Sequence, residues 1–226
     1  MTGEAVPVLA LDGPSGSGKG TIARKVAREL GWHLLDSGAL YRVVGAVALQ
    51  RGISLDDDAG LTVMATGLQI DIDEQAVRVD GVDMTRRIRE EAVSEAASRV
   101  AARQPVRASI LALQRAQRRP PGLVADGRDM GTVVFPQAPL KVYLDASVQV
   151  RAERRYNQLK NKGLSVSLAA LLASIQERDE RDKNRAVAPL RPAPDAILID
   201  STSMSIEAVL SRVLDEARSS GLTPST

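Results

Sequence analysis

Gly13-Pro-Ser-Gly-Ser-Gly-Lys-Gly-Thr21 stands just behind the apolar run Val6–Leu11, separated from it by Asp12. The stretch fits G-x-x-x-x-G-K, a loop whose backbone N–H groups wrap nucleotide phosphates while a lysine, here Lys19, supplies a point charge. Gly13, Gly16, Gly18 and Gly20 are free to take φ > 0, which turns successive N–H groups toward one anion. From Thr21 onward the pattern predicts a helix, with Ile22, Val26 and Leu30 as its apolar stripe. The positive N-terminal end of that helix faces the same phosphates. A plain Gly/Ser turn would account neither for a lysine at the one required place nor for the hydroxyl of Thr21. One departure from the pattern matters. The residue after the lysine is Gly20 rather than Ser or Thr, so a magnesium-side hydroxyl must come from Thr21 or from elsewhere.

Working outward, four more short apolar segments read as buried strands followed by helical patterns. With Val8–Leu11 they are His33–Leu35, Leu123–Ala125, Lys141–Leu144 and Ala196–Ile199. Strand-then-helix repetition predicts an α/β fold with a parallel sheet covered on both faces, and ligands then gather at the carboxyl ends of the strands. Four of those ends carry Asp12, Asp36-Ser37, Asp126 and Asp145.

The segment 61–104 breaks this rhythm. Leu68, Ile70 and Ile72, then Val77 and Val79, alternate with polar residues at strand period. Turn signals lie around Asp73–Ala76 and at Asp80-Gly81, and Val82–Met84 could extend the hairpin. A helix then follows, with Thr85 as its expected cap and Ile88, Ala92, Ala96 and Val100 as its apolar line. We read 61–104 as an inserted small subdomain in a core made of 1–60 and 105–226. Gln104-Pro105 marks the return, and 106–118 reads as a helix. Residues 149–175 read as two helices joined by a mobile connection, Asn157–Ser165, which is either a lid or a plain helix hairpin. The final tail, Ser219–Thr226, reads as disordered.

Composition narrows the function classes. A chain of 226 residues holds one large α/β domain with a real core. It has no cysteine, hence no disulfide and no thiolate metal site, and a cytoplasmic home is expected. Of its 30 basic residues only six are lysine, and arginine forks suit phosphate oxygens, although genomic base composition enriches arginine too. Aromatic residues at 2% leave few rings for stacking on bases, and a net charge of +2 gives little electrostatic pull on nucleic acid.

Three further stretches carry polar chemistry. Asp36-Ser-Gly-Ala-Leu-Tyr-Arg42 opens a helix after the second strand, with Ser37 as its expected cap, and is either a capping motif or a ligand loop. Asp126-Gly-Arg-Asp-Met-Gly-Thr132 leaves the third strand's carboxyl end with two acids flanking an arginine. Glu177-Arg-Asp-Glu-Arg-Asp-Lys-Asn-Arg185 is the densest charge run; on a helix it aligns Arg178, Asp182 and Arg185 on one face, with Arg181 alongside Arg185. His33, the sole histidine, lies within a strand and reads as structural.

Taken together, these segments resemble the bacterial cytidylate kinases, a branch of the nucleoside-monophosphate kinases. The resemblance rests on DGPSGSGKGT at Asp12–Thr21, LLDSGALYR at Leu34–Arg42, QPVR at Gln104–Arg107, ADGRDMGTVVFP at Ala125–Pro136 and ERDERDKNRAVAPL at Glu177–Leu190. They run in order along nearly the whole chain. The resemblance implies a P-loop five-stranded parallel sheet, with 61–104 as the monophosphate-binding subdomain and a lid at about 151–166. It makes the Gly-Lys-Gly-Thr form a shared trait.

The implied reaction passes the terminal phosphoryl group of ATP to CMP or dCMP, with magnesium accompanying ATP and Thr21 as its candidate protein ligand. Gly13, Pro14, Ser15, Gly16, Ser17, Gly18, Lys19, Gly20 and Thr21 would hold the ATP phosphates. Ser37, Tyr41, Arg42, Ser98, Arg107, Arg128, Asp129, Arg178 and Asp182 would hold the monophosphate nucleotide. Arg154 and Arg185 would join Lys19 and Arg128 at the transferring group, with Arg151 and Arg155 competing for the place of Arg154. The family implies a monomer with small nucleotides as its only partners. Adenylate- or uridylate-type kinases, a regulatory GTPase and a nucleic-acid-binding ATPase are the competing classes. The GTPase lacks support because Asn161-Lys-Gly-Leu164 fails the guanine-reading pattern at its last position.

Overall fold

The computed structural model describes residues 6–72, 76–161 and 163–224. The chain divides into two compact units, Met1–Leu35 with Gln117–Thr226, and Asp36–Ala116. The first is built on the expected parallel sheet. Its strands are β1 (Val8–Asp12), β2 (His33–Asp36), β6 (Leu123–Gly127), β7 (Leu140–Asp145) and β8 (Ile197–Asp200), in the order β2-β6-β1-β7-β8. β1 lies at the centre, every residue buried, with Asp12 in register with Gly127 on one side and Tyr143 on the other. All five predicted strands are present, and the all-parallel sheet flanked by helices is the P-loop arrangement. The reason is sequence-level: each strand is a short apolar run, and parallel strands covered on both faces need no alternation.

Helix α1 (Lys19–Leu30) buries Ile22, Ala23, Val26 and Leu30 against the sheet, in one core with Leu9, Leu11, Val124, Val142 and Leu144. Helix α8 (Ile206–Ser219) adds Val209, Val213 and Ala217 to that core. The tail does not leave at Ser219: Leu222 turns back into the core, 5% exposed, so the expected disorder fails there because an apolar side chain three residues past the helix has somewhere to bury. Ser225 and Thr226 lie outside the described residues. Helices α6 (Val148–Lys160) and α7 (Leu168–Lys183) form a hairpin. Their connection is shorter than the expected Asn157–Ser165, since α6 continues to Lys160.

The second unit carries α2 (Ser37–Arg51), α3 (Asp58–Gly67), a three-stranded sheet of β3 (Ile70–Ile72), β4 (Val77–Val79) and β5 (Val82–Asp83), then α4 (Glu91–Val100) and α5 (Gln104–Ala116). The segment 61–104 falls within it. The predicted hairpin is there, antiparallel, and its second turn has Asp80 at φ 51° and Gly81 at φ 80°, the paired left-handed residues a tight hairpin needs. The expected turn at Asp73–Ala76 falls mostly outside the described residues. Three expectations are corrected. Helix α3 is absent from the sequence reading, although the spacing of Leu61, Met64 and Ala65 marks its buried side. Thr85 does not cap α4: a 3-10 turn, Arg87–Arg89, intervenes, and the Thr85 hydroxyl instead accepts the Val77 N–H at 2.9 Å. The buried line of α4 is Val93, Ala96, Ala97 and Val100, with Ala92 exposed.

Gly122 tests the packing at the start of β6. A Cβ there would lie 2.3 Å from the Trp32 ring. Gly122→Ala should cost about 1–3 kcal/mol through overpacking, read as a Tm several degrees lower. An unchanged Tm would mean that the ring relaxes freely.

Candidate active site

The loop between β1 and α1 is shaped by glycine at three positions. Gly13 (φ 152°) passes so close to β7 that a Cβ would sit 2.0 Å from the Leu144 carbonyl oxygen. Gly16 (φ 80°) and Gly18 (φ 93°) take the left-handed turn, and Gly18 caps α1. Gly20 departs from expectation: it is an ordinary helical residue. Its lack of a side chain serves close approach, since a Cβ would lie 3.0 Å from Oδ2 of Asp126.

The loop carbonyls are held from inside. Lys19 is buried on the first turn of α1, and its Nζ donates to the Pro14 oxygen at 3.0 Å. Arg151 donates to the Ser15 oxygen at 3.0 Å. Arg154 and the Ser201 hydroxyl each donate to the Ser17 oxygen at 3.2 Å. Thr21 sits half-buried on the same first turn. The three arginines that competed at the lid therefore separate. Arg151, 2% exposed, also grips both carboxylate oxygens of buried Asp179 on α7, so it ties loop to helix. Arg154, on α6 with Arg151, reaches the loop at Ser17 and donates to the Ser201 oxygen at 2.7 Å. Arg155 reaches Gln158 at 2.8 Å, one turn along its own helix.

Around Asp12 lies a second cluster. Asp12 is 4% exposed and accepts the Met130 and Gly131 N–H groups, each at 2.8 Å. Burial, with help from Asp129 and Asp126, pushes its carboxyl up to about 7 against the pull of those two bonds. Asp126 and Asp129 are likewise buried. Arg128 donates from Nε to Asp182 at 3.1 Å. Burial opposes its charge, but Asp182, Asp126 and Asp12 more than offset that and hold its pKa above the usual arginine value. Asp182, 3% exposed, also meets Arg185 at 2.9 Å. Burial works against the Asp182 carboxylate too, yet Arg128, Arg185 and Arg178 hold its pKa below the ordinary carboxylate range. Arg178, Asp182, Arg185 and Arg128 thus share one electrostatic cluster. The helical expectation for Arg185 needs correcting, because α7 ends at Lys183. Arg185 lies past the helix and folds back, while Arg181 pairs with Glu177 at 2.6 Å instead.

In the second unit, Asp36 and not Ser37 caps α2, accepting the Ala39 N–H at 2.9 Å and Arg42 at 2.9 Å. Ser37 is buried, and its hydroxyl accepts from Gln114 on α5 at 2.8 Å. The Arg107 guanidinium stands 5.7 Å from the centre of the Tyr41 ring, a cation–π arrangement. Ser98 on α4 is 3% exposed, and its Oγ has no hydrogen-bond partner among the described residues. Backbones of α2 and α4 approach closely beside it: a Cβ on Gly45 would lie 2.9 Å from the Ala97 nitrogen.

A family model described as cytidylate kinase matches residues 9–219. The cytidylate kinase of Aeromonas hydrophila subsp. hydrophila is 54% identical over 215 residues, covering 93% of this chain and 94% of its own. That of Pseudomonas paraeruginosa is 54% identical over 223 residues, covering 96% and 97%. The chain belongs to the cytidylate kinase family. It is accordingly a kinase that phosphorylates a nucleoside monophosphate. A solved gluconokinase structure from Sinorhizobium meliloti 1021 aligns with 95% of this chain and 96% of its own at 17% identity and a TM-score of 0.44, too distant to bear on function.

Gln114, Ser201 and the Arg151–Asp179 pair were missed in the sequence. Nothing in a helical glutamine, or in one arginine among three, announces a buried partner far along the chain. Among the described residues no group of three or more His, Asp or Glu could by itself hold a metal, and no helix is long and apolar enough to cross a membrane.

The Asp12 titration gives a signed prediction. With a native pKa near 7 against 3.8, the folded state keeps a proton that the unfolded chain releases, so stability falls as pH rises from about 4 to 7. Asp12→Asn removes this loss. Its Tm relative to the parent should climb over that range and level off above it; a constant difference would contradict the assignment.

Proposed function

We propose that this kinase transfers the terminal phosphoryl group of ATP to CMP or dCMP, giving ADP and CDP or dCDP. The observation that carries the reading is Asp182 held ionised between Arg128 and Arg185, on a helix that Arg151 ties to the phosphate loop. Family membership supports the same reaction. In it, residues 13–21 hold the ATP phosphates. Arg128, Asp129, Arg178 and Asp182 of the first unit, and Ser37, Tyr41, Arg42, Ser98 and Arg107 of the second, hold the monophosphate nucleotide. Cytosine carries an amino donor where uracil carries an acceptor, and Asp129 and Asp182 supply carboxylate acceptors for it. A site built on that pairing rejects the wrong base by leaving buried groups unpaired.

No general base is needed. The acceptor phosphate has a second pKa of about 6 and is already an anion at neutral pH. Catalysis reduces to alignment and charge neutralisation by Lys19, Arg128, Arg154 and Arg185. Thr21 offers an oxygen on the first helical turn, the hard donor that magnesium takes, and nucleotide phosphates would complete the shell. When bound with ATP, that ion would offset charge on the transferring phosphates. Segment 61–104 serves as the monophosphate-binding subdomain and 151–166 as the lid, both gaining amide protection on CMP binding. A cytoplasmic home suits a cysteine-free chain, and the monomer is carried over from the family resemblance alone.

The deciding experiment is a coupled assay of ADP formation from magnesium-ATP with CMP, dCMP, UMP and AMP supplied separately. Turnover with CMP and dCMP far above the others is expected; dominance of UMP or AMP would defeat the base assignment. Lys19→Ala should fold normally and lose about 10³-fold in kcat. Undiminished turnover in a folded Lys19→Ala protein would remove the phosphate-loop assignment.

A further inference from the structure

We propose that Asp12 is a positioning residue for the reaction: its buried carboxylate fixes the turn that carries Arg128 and Asp129 onto the strand leading into the phosphate loop. The inference rests on the reading of Arg128 and Asp129 as groups that hold the monophosphate.

Asp12 is the last residue of β1 and stands directly before Gly13. Its backbone is in register with Gly127, at the near end of the turn. Its two carboxylate oxygens take the N–H groups of Met130 and Gly131, at the far end. Arg128 and Asp129 are the two residues between those holds. One amino acid therefore pins both ends of a two-residue span. Gly131 also lies close to the Lys141 stem, which a Cβ there would meet at 3.1 Å, while Oδ2 of Asp12 would be in ordinary contact at 3.5 Å.

A purely structural bond would be cheaper to make. Asp12 is buried beside two further acids, Asp126 and Asp129, both of which oppose its ionisation. A neutral isostere cannot replace it, because asparagine offers one acceptor oxygen and an NH2 that would confront the second N–H. The facing charge is Arg128, whose guanidinium feels Asp12 as well as Asp182. The phosphate loop, in contrast, has separate anchors in Lys19, Arg151, Arg154 and Ser201. Loosening the turn should therefore affect the monophosphate far more than ATP.

The test is steady-state kinetics of Asp12→Asn, Arg128→Ala and the double variant, with folding checked by circular dichroism. Asp12→Asn should raise KM for CMP about 10- to 100-fold, with KM for ATP within about 2-fold. In the double variant the effect should be no larger than that of Arg128→Ala alone, because one residue acts through the other. Full additivity, or an equal rise in both KM values, would overturn the proposal. So would a fall in kcat with both KM values unchanged, the pattern of a partly inactive population. If Arg128→Ala raises KM for CMP while Asp12→Asn does not, only the role of Asp12 is lost. If Arg128→Ala leaves KM for CMP unchanged, the reading beneath falls and takes this inference with it. Should Asp12→Asn fail to fold, amide exchange in the wild type decides. Met130 and Gly131 should be strongly protected without nucleotide, and exchange at the rate of an exposed turn would overturn the proposal.

Discussion

Everything at this site depends on where the carbonyls of the phosphate loop point. A peptide plane sets C=O and the following N–H on opposite sides. Once Lys19 holds the Pro14 oxygen, Arg151 the Ser15 oxygen, and Arg154 with Ser201 the Ser17 oxygen, the amides that follow are turned the other way. The cradle is thus set from its back by side chains drawn from α1, α6 and the end of β8. Glycines permit this shape, but the three cations impose it. They also place positive charge beneath the loop, which favours the polyanion we propose it takes up.

Arg151, the most buried of those cations, is expensive to desolvate, and α7 is what makes that burial possible. Asp179 and Asp182 sit at i, i+3 on its buried side, with Ile175 one turn earlier. Asp179 neutralises Arg151 behind the loop, while Asp182 neutralises Arg128 and Arg185. Truncating either acid would strand a desolvated guanidinium, a loss of about 3–5 kcal/mol for a buried pair. Since both acids stand on one helix, that helix couples the shape of the phosphate loop to the arginine cluster. A change at either acid is accordingly felt at both.

What was legible in the sequence follows from the range of the forces involved. β1, α1, the Asp80-Gly81 turn and all five core strands are encoded by neighbours within a few residues, and each stands where the pattern places it. The phosphate loop and the Asp126–Thr132 turn were legible because strand ends and glycines announce them. Partners far along the chain were not. Arg151, Arg154 and Arg155 look alike on one helix, and only the packing of α6 separates a buried tie from a loop contact and a local pair. Caps failed for a related reason: Asp36 and Ser37 are both good N-caps, and Gln114, distant in sequence, claims the serine.

Gly20 shows how a departure from a motif can be a consequence of its surroundings. The place that usually bears a hydroxyl is bare, and the space a Cβ would need is occupied by the Asp126 carboxylate at 3.0 Å. Asp126 is buried and belongs to the same group of acids as Asp12 and Asp129. Such negative charge beside an anion cradle opposes phosphate binding. The cradle therefore needs cations on its other sides, which Lys19, Arg151 and Arg154 provide from the protein. The proposed magnesium-nucleotide would bring another of its own. With position 20 crowded by Asp126, Thr21 is the next residue on the same helical turn able to offer an oxygen, and the hydroxyl stands one residue beyond Gly20, that carboxylate's neighbour.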